Sequence, residues 1–333
     1  MSISAEIKDF CGKQTVELTC GKYTATIAAF NGSNIQRMQD TENKIDFFRN
    51  NPDFTADDYK KNAEVYGFPT LYLPNRLAGG VLKVSDYTYQ FPCNDPLGNH
   101  LHGFLHLREH NIVAAETTDT AAIAKTEYIY DEKDPFFSTF PVSFKAEYTF
   151  SLSDEGMAYS FTMTNLSDRQ LPYGVCNHTA MKGPFIEGGK PEDVRLYVPI
   201  GDKVELNKQC IPTCDFKPQN NYDKLYLSGS TIPVGQDIDN DMYFMEEGSA
   251  DGKPFYGVIA TDTATNKQIR YEVCKDFKFW IIWNDHGDKG YFCPEPMSWI
   301  IDAPNLPLSQ SESGYMELAP GESKTVTEKI YSA

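Results

Sequence analysis

The feature that most constrains this chain is an alternation of apolar and polar residues that recurs in short segments along its whole length. Clear examples are residues 121–130, 142–152, 157–165 and 268–274. A period of two residues sends successive side chains to opposite faces of an extended chain, so each segment predicts a strand with one buried face. Turn sequences such as Asp154-Glu155-Gly156 and Pro320-Gly321-Glu322 separate the segments. The pattern therefore predicts antiparallel β structure.

Helical periodicity is largely missing from the sequence. No amphipathic pattern of roughly 10–15 residues alternates with the strands, which argues against a Rossmann fold or a TIM barrel. The exception is the charge-rich segment 40–67, where Thr55 precedes an acidic first turn and predicts a short surface helix. We therefore predict an all-β fold, a large antiparallel β-sandwich with few short helices. Because no linker or repeat divides the chain, we expect a single domain over residues 1–333.

The charge of the chain excludes two classes of partner. Its 30 basic and 47 acidic residues give a formal net charge of −17, which repels nucleic-acid phosphates and anionic lipid surfaces. No apolar stretch approaches the roughly 20 residues of a spanning helix, and the N-terminal segment lacks the pattern of a signal peptide. The 8 cysteines are scattered, which indicates reduced thiols rather than a disulfide scaffold. We expect a cytoplasmic monomer or homodimer.

Two groups of residues raise the question of a metal. Four of the six histidines fall close together, and on one strand His100, His102 and His106 would share a face and supply the ligands of a zinc site. Against zinc, Glu109 would point to the other face. The alternating aspartates of 237–241 resemble part of an EF-hand loop, but the required Gly and the terminal Glu are missing. We expect no metal and no cofactor.

Three other residues occur in sequence contexts that are typical of catalytic or ligand-binding side chains. His178 follows a predicted strand and precedes a loop rich in Gly and Pro, which places it at a strand end facing a cleft; a hydrogen-bonded core histidine is the alternative. Glu295 lies between two prolines among apolar residues, where a raised carboxyl pKa suits a general base, although a charged turn residue fits too. Arg76 lies in a turn-rich context from which its guanidinium can reach a ligand, or else solvent.

The order of five short motifs along the chain is distinctive. They are Pro74-Asn75-Arg76, Leu101-His102-Gly103, Asn177-His178-Thr179, Asp241-Met242-Tyr243-Phe244 and Glu295-Pro296-Met297. In this order they resemble the aldose 1-epimerase (galactose mutarotase) family, and the segment 317–322 is similar to one near the family's C-terminus. The resemblance implies a galactose mutarotase-like sandwich with a sugar cleft and without a cofactor.

The same resemblance implies a role for each matching residue. It assigns the binding of sugar hydroxyls to Arg76, with Asn75 beside it, to His102 and to Asp241.

The resemblance also assigns the catalytic pair, with His178 as the general acid and Glu295 as the general base. Such a pair opens a hemiacetal ring when the base takes the O1 proton while the acid protonates the ring oxygen. Rotation about C1–C2 and closure then invert the anomeric centre. The expected function is that of an aldose 1-epimerase acting on a free hexose, galactose or glucose.

One departure from the family pattern leaves the substrate open. The segment Leu101-His102-Gly103-Phe104 is similar to a divergent branch that contains hexose-6-phosphate 1-epimerases, in which an arginine follows two residues later. Here that position is His106 and the nearest arginine is Arg108, and a net charge of −17 does not favour a phosphosugar. We expect Arg76 rather than Arg108 to contact the substrate, with a hexose-6-phosphate 1-epimerase as the alternative.

Two further alternatives come from other classes of protein. A non-catalytic carbohydrate-binding β-sandwich would use the same polar residues to hold hydroxyls only. A glycoside hydrolase using Asp241 and Glu295 would need carboxyl groups roughly 5–9.5 Å apart. The sequence leaves open whether His100, His106 or His110 contributes to the site.

Overall fold

The strands follow from the alternation seen in the sequence. In this computed structural model, which describes residues 2–85 and 87–333, the strand Phe144–Ser153 buries every second side chain from Phe144 to Leu152. The residues between them are only partly buried, as expected for a strand with one face on a core.

The N-terminal third of the chain contains ten strands and one α-helix in its described part. They are β1 (Ile3–Phe10), β2 (Lys13–Cys20), β3 (Tyr23–Ala28), β4 (Asn34–Asp40), β5 (Ile45–Asp46), α1 (Ala56–Lys61), β6 (Thr70–Leu71), β7 (Arg76–Leu77), β8 (Val81–Val84), β9 (Tyr87–Gln90) and β10 (His100–Leu101). Helix α1 begins after Thr55, whose side chain accepts from the amide of Asp58 while the Asp58 carboxylate accepts from the amide of Thr55. The predicted surface helix is confirmed.

The remainder of the chain adds nineteen strands and two short α-helices. They are β11 (Asn111–Thr117), β12 (Ala121–Tyr130), β13 (Phe144–Ser153), β14 (Gly156–Asn165), β15 (Leu171–Tyr173), β16 (Cys176–Asn177), β17 (Met181–Lys182), β18 (Val194–Tyr197), β19 (Ile200–Leu206), β20 (Pro212–Lys217), α2 (Lys224–Leu227), β21 (Asp241–Met245), β22 (Gly248–Ala250), β23 (Lys253–Phe255), β24 (Gly257–Asp262), β25 (Gln268–Val273), β26 (Phe279–Trp283), β27 (Tyr291–Met297), α3 (Gln310–Ser313), β28 (Met316–Leu318) and β29 (Ser323–Ser332). Single 3₁₀ turns occupy Ala29–Asn31, Ala63–Val65, Ala78–Gly80, Leu105–Leu107, Pro191–Asp193 and Ala303–Asn305.

The strands form antiparallel sheets of very different size. One large sheet has the order β11-β12-β13-β14-β29-β25-β24-β18. A second has the order β20-β19-β21-β26-β27-β16-β6, with β17 also paired to β27. The strands β1 to β5 form a third sheet in chain order, and four two-stranded pairs complete the structure: β7 with β10, β8 with β9, β15 with β28, and β22 with β23.

Aromatic side chains fill the space between the two large sheets. The ring of Tyr271 on β25 packs edge-on against Trp280 on β26 with centroids 6.3 Å apart, and against Phe68 at 5.6 Å. Such pairs add packing energy beyond the apolar area that they bury. The predicted all-β antiparallel sandwich with few short helices is confirmed, whereas the single domain over 1–333 stays a prediction.

Two smaller features concern membrane-spanning helices and the cysteines. No helix in the described ranges 2–85 and 87–333 is long and apolar enough to cross a membrane. All eight cysteines are free thiols, in agreement with the scattered positions that they hold in the sequence.

Candidate active site

The strand β27 carries Glu295 and is buried at all seven of its positions. Its ladder with β16 pairs Cys176 with Met297, and its ladder with β17 pairs Met181 with Phe292. Both ladders share one register, but the pairing is interrupted between them, opposite Pro294 and Pro296, which have no N–H to donate. His178 lies in this interruption, and the shared register places it opposite Glu295. The two residues therefore meet because of the sheet, not because of a loop.

The neighbours of His178 are tied to the interior. The Thr179 hydroxyl donates to the carbonyl of Pro294 at 2.6 Å, and the amide of His178 donates to the carbonyl of Pro69 at 3.0 Å. The Asn177 side chain accepts from the Thr70 hydroxyl at 2.8 Å and donates to the buried carboxyl of Glu328. Because both flanking side chains point inward, the imidazole of His178 points the opposite way, into a cavity that it lines.

The side chains of Glu295 and His178 are 2% and 6% exposed. Nε2 of His178 lies 3.2 Å from Oε1 of Glu295, and the Cys176 thiol lies 3.8 Å from Oε2. Burial raises the pKa of Glu295 well above its usual range, against the opposing influence of Arg76 and Cys176. Burial also lowers the pKa of His178 to about 4. Both groups are pushed toward their neutral forms, in which the pair holds one proton between them.

Arg76 lies at the edge of the same cavity and is oriented by two partners. Its Nε donates to Oδ2 of Asp95 at 2.9 Å and its Nη1 donates to Oδ1 of Asn75 at 3.2 Å. Asn75 has a φ of 51°, in the left-handed region that asparagine tolerates better than most residues. These contacts fix the plane of the guanidinium, which is the geometry required to hold a hydroxyl in one direction.

His102 is placed by a close approach of two backbone segments. Its amide donates to the carbonyl of Asn75 at 2.7 Å, and its φ is 65°. A Cβ on Gly103 would lie 2.0 Å from the carbonyl oxygen of Tyr72, so only glycine fits there. The imidazole of His102 stands edge-on to that of His178 with centroids 5.3 Å apart. Burial and the neighbouring His178 lower the pKa of His102 well below its usual value, so its imidazole is neutral near pH 7.

The cavity that these residues share has a volume of about 350 Å³. It is lined by Glu64, Val65, Asn75, Arg76, Leu101, His102, His178, Asn240, Trp283 and Glu295. The structure thus brings together all the residues that the sequence analysis assigned to the site except Asp241. The aromatic ring of Trp283 stands edge-on to His178, with centroids 5.7 Å apart.

Asp241 lies in the adjacent depression rather than among the residues that line this cavity. Its carboxylate accepts from Nζ of Lys203 at 2.9 Å and from the hydroxyl of Tyr226 at 3.2 Å. The preceding residue, Asn240, lines both spaces. A role for Asp241 in binding hydroxyls stays a prediction.

The expectation that three nearby histidines share one strand face is wrong. Strand β10 ends at Leu101, His102 has a left-handed backbone, and His106 lies in a 3₁₀ turn, so the chain bends twice within the segment. Nδ1 of His100 bonds the carbonyl of Pro92 at 2.8 Å. His110 bonds the hydroxyl of Ser33 at 2.8 Å. The three-histidine zinc site is therefore not assembled.

Two residues of the cavity, His178 and Glu295, form a group of metal-ligating types with Cys293. The ligand atoms of His178, Cys293 and Glu295 all lie within 4.8 Å of one another. Such a set suits zinc in type, but burial raises the pKa of the Cys293 thiol well above its usual range, which opposes the thiolate that a metal needs. The expectation that no metal is required stays a prediction.

The sequence analysis did not identify Glu64, which lies in the turn Ala63–Val65 and lines the cavity. Its Oε1 pairs with Nε2 of His106 at 3.1 Å. The one available signal was the charge-rich segment 40–67, which breaks the strand pattern. Trp283 was missed because an aromatic residue at the end of a strand is ordinary in any sheet.

Arg108 is held away from the cavity by a buried carboxylate. Its Nε and Nη2 bond the two oxygens of Asp134 at 2.5 and 2.9 Å. The guanidinium also lies over the ring of Phe104, 5.4 Å from its centroid. Among the residues that the structure describes, Arg108 does not line the cavity that contains Arg76.

Comparison with known proteins agrees with this geometry. Residues 14–331 match the sequence model of the family described as aldose 1-epimerase. A galactose mutarotase-like protein from Clostridium acetobutylicum has a similar structure, with 28% identity, 100% of this chain and 98% of that chain covered, and a TM-score of 0.96. The galactose 1-epimerase from Lactobacillus acidophilus NCFM shares the fold, with 14% identity, 100% and 99% coverage, and a TM-score of 0.72.

Proposed function

This chain belongs to the aldose 1-epimerase family, and from that premise we propose that it interconverts the α and β anomers of a free hexose, galactose or glucose. The observation that carries the proposal is the pair of Glu295 and His178, 3.2 Å apart at the wall of a cavity beside Arg76 and His102. A base and an acid side by side are what ring opening of a hemiacetal needs.

The proton count of the pair fits a reversible cycle. With a closed sugar bound, ionised Glu295 takes the proton from O1 while protonated His178 gives its proton to the ring oxygen. The open-chain aldehyde then faces a neutral carboxyl and a neutral imidazole. After rotation about C1–C2, Glu295 returns a proton to O1 and His178 takes one from the C5 hydroxyl. The pair holds one proton throughout, and no group leaves.

The surroundings of the pair favour the neutral form that accompanies the open sugar. Burial raises the pKa of Glu295 and lowers that of His178. A bound hydroxyl at O1 hydrogen-bonds the carboxylate, and the ring oxygen accepts from the imidazolium, so both contacts stabilise the charged form in the complex. The charged and the neutral form of the pair are therefore closer in free energy in the complex, so that ring opening and ring closure are both accessible.

The pH dependence of kcat/KM tests this proton count. Because the pKa of His178 is lowered to about 4, a second proton enters the pair only near that pH and not near the ordinary histidine value of about 6.5. We expect kcat/KM at pH 5 to be at least about nine-tenths of its value at pH 7, after subtraction of spontaneous mutarotation. If kcat/KM instead fell to half its maximal value at about pH 6.5, then His178 would titrate as an ordinary histidine and burial would not lower its pKa.

The two arginines separate a free sugar from a phosphosugar. Arg76→Ala should lower kcat/KM for a free hexose by at least about tenfold, or roughly 1.4 kcal/mol, because a fixed hydroxyl contact is lost. Arg108→Ala should leave it within about threefold, since Arg108 is bonded to Asp134. The double variant Arg108→Ala/Asp134→Asn is the matched control, because it leaves no unpaired buried carboxylate. A preference for glucose 6-phosphate that Arg108→Ala abolishes would replace this reading with the hexose-6-phosphate alternative.

Anomer-resolved NMR exchange over free and 6-phosphorylated hexoses tests the proposed function directly. Exchange between the α and β signals should accelerate for at least one free aldose in proportion to the protein concentration. A non-catalytic sugar-binding protein would shift or broaden the signals of a bound sugar without accelerating the exchange.

A further inference from the structure

The carboxylate of Glu64 faces the cavity, but the proton transfers do not use it. It lies on the turn Ala63–Val65, and its side chain is 35% exposed. Its Oε1 is paired with Nε2 of His106, whose side chain is 1% exposed. In the described part of the chain no other side chain bonds the carboxylate of Glu64, and the residue lines the cavity.

The charges around the cavity make Glu64 distinctive. Burial alone would raise the pKa of Glu64. The hydrogen bond from His106 and the charge of His106 oppose that rise, with a smaller contribution from His102, and lower the pKa to about 2. The positive charge of Arg76 is already paired with Asp95. The pKa values of His102 and His178 are both lowered by burial. Near neutral pH Glu64 is therefore a carboxylate on the cavity, and His106, the partner that keeps it ionised, is not among the described residues that line the cavity.

Asp241, the carboxylate expected to bind sugar hydroxyls, does not line the cavity, so the binding of hydroxyls is a function that Glu64 can perform. A sugar presents several hydroxyl donors, and a charged acceptor bonds them more strongly than a neutral one. Asp241 is tied to Lys203 and Tyr226 in the adjacent depression. Glu64 instead lies on the cavity that holds the catalytic pair.

We propose that Glu64, positioned by His106, accepts hydrogen bonds from the hydroxyls of the sugar and restricts the substrate to uncharged hexoses. A second negative charge in the same cavity is repelled, so hexose 6-phosphates and hexuronic acids are disfavoured. This inference rests on the proposed function and deepens it by naming the residues that determine its specificity. It also gives the buried His106 a positioning role.

The test compares Glu64→Gln with wild type on galactose, glucose and glucose 6-phosphate. Removing the charge keeps the shape but weakens the hydroxyl contacts, so kcat/KM for the free hexoses should fall about tenfold. Repulsion of the phosphate is relieved, so the ratio of kcat/KM for glucose 6-phosphate to that for glucose should rise at least about tenfold. Glu109→Gln is the matched control, because the carboxylate of Glu109 is 52% exposed. In this variant kcat/KM for the free hexoses and the ratio of kcat/KM for glucose 6-phosphate to that for glucose should both stay within about twofold of wild type.

His106→Asn tests the positioning role. It should raise KM for a free hexose by about threefold to tenfold while kcat changes less than twofold, because the catalytic pair does not contact His106. A loss in kcat alone would assign His106 to the folding of the site rather than to Glu64, and would overturn the positioning role.

Two results would overturn the specificity role. One is an equal change in kcat/KM for the neutral and the phosphorylated sugar in Glu64→Gln, and the other is a wild-type preference for glucose 6-phosphate. These failures are distinct from failure of the proposed function, which is the absence of any accelerated anomer exchange in the wild type. In that event calorimetry can measure the affinities of wild type and Glu64→Gln for glucose and glucose 6-phosphate. The ratio of the affinity for glucose 6-phosphate to that for glucose should rise in Glu64→Gln, and an unchanged ratio would overturn the specificity role.

Discussion

Glu295→Gln is expected to lower kcat by roughly 10²–10⁴-fold, the range that one proton-transfer group contributes. Glutamine has the shape of glutamate but cannot take the O1 proton. KM should change much less, because Arg76, His102 and Asn75 remain in place. Initial rates of mutarotation at several sugar concentrations separate the two parameters.

The control for this variant is Glu155→Gln, which removes a carboxylate that is 76% exposed on a surface turn. Its kcat should equal that of the wild type. Glu295→Gln also removes an ionisable group from a buried site, so its melting temperature should not fall below that of the wild type. A Glu295→Gln protein that keeps its kcat and loses only affinity would make Glu295 a binding residue.

His178→Asn is expected to lower kcat over the same range of roughly 10²–10⁴-fold. The amide of asparagine cannot donate a proton to the ring oxygen as that bond breaks, although it can still hydrogen-bond a sugar. The double variant with Glu295→Gln should be little slower than either single variant, because the two groups act as a unit. Multiplicative losses would show that each residue acts in a separate step.

The control for His178→Asn is His286→Asn, since the side chain of His286 is 77% exposed. Its kcat should match the wild type. If His178→Asn raised KM tenfold without changing kcat, then the imidazole would hold a hydroxyl and another group would supply the proton.

The architecture could be predicted from the sequence because its signals are local. Burial of alternate residues in Phe144–Ser153 follows directly from the period-two pattern. Helix α1 was predictable because Thr55 and Asp58 are three residues apart and cap one turn. The number of strands and their order in each sheet depend on contacts between distant segments, such as β14 with β29, and the pattern does not contain them.

Most of the candidate site was predictable for a different reason. Arg76, His102, His178 and Glu295 lie in short motifs whose order resembles one family, and the structure places all of them on one cavity. Local patterns did not reveal the bend after Leu101, which depends on the contact between Gly103 and the backbone of Tyr72.

The positions of Asp241 and Glu64 depend on partners that are distant in the sequence. Asp241 is drawn to Lys203, which is 38 positions away in the sequence. Glu64 is paired with His106, which is 42 positions away. Neither pairing is visible in a linear pattern, because each depends on how separate strands and turns are brought together.

Polarimetry of freshly dissolved α-D-galactose and α-D-glucose tests most directly whether Glu295 and His178 catalyse anomer exchange. With wild-type protein the optical rotation should reach its ordinary final value faster, in proportion to the amount of protein, while Glu295→Gln should stay close to the spontaneous rate. Rates equal to those in buffer for every free aldose, or full activity in Glu295→Gln, would contradict this catalytic role.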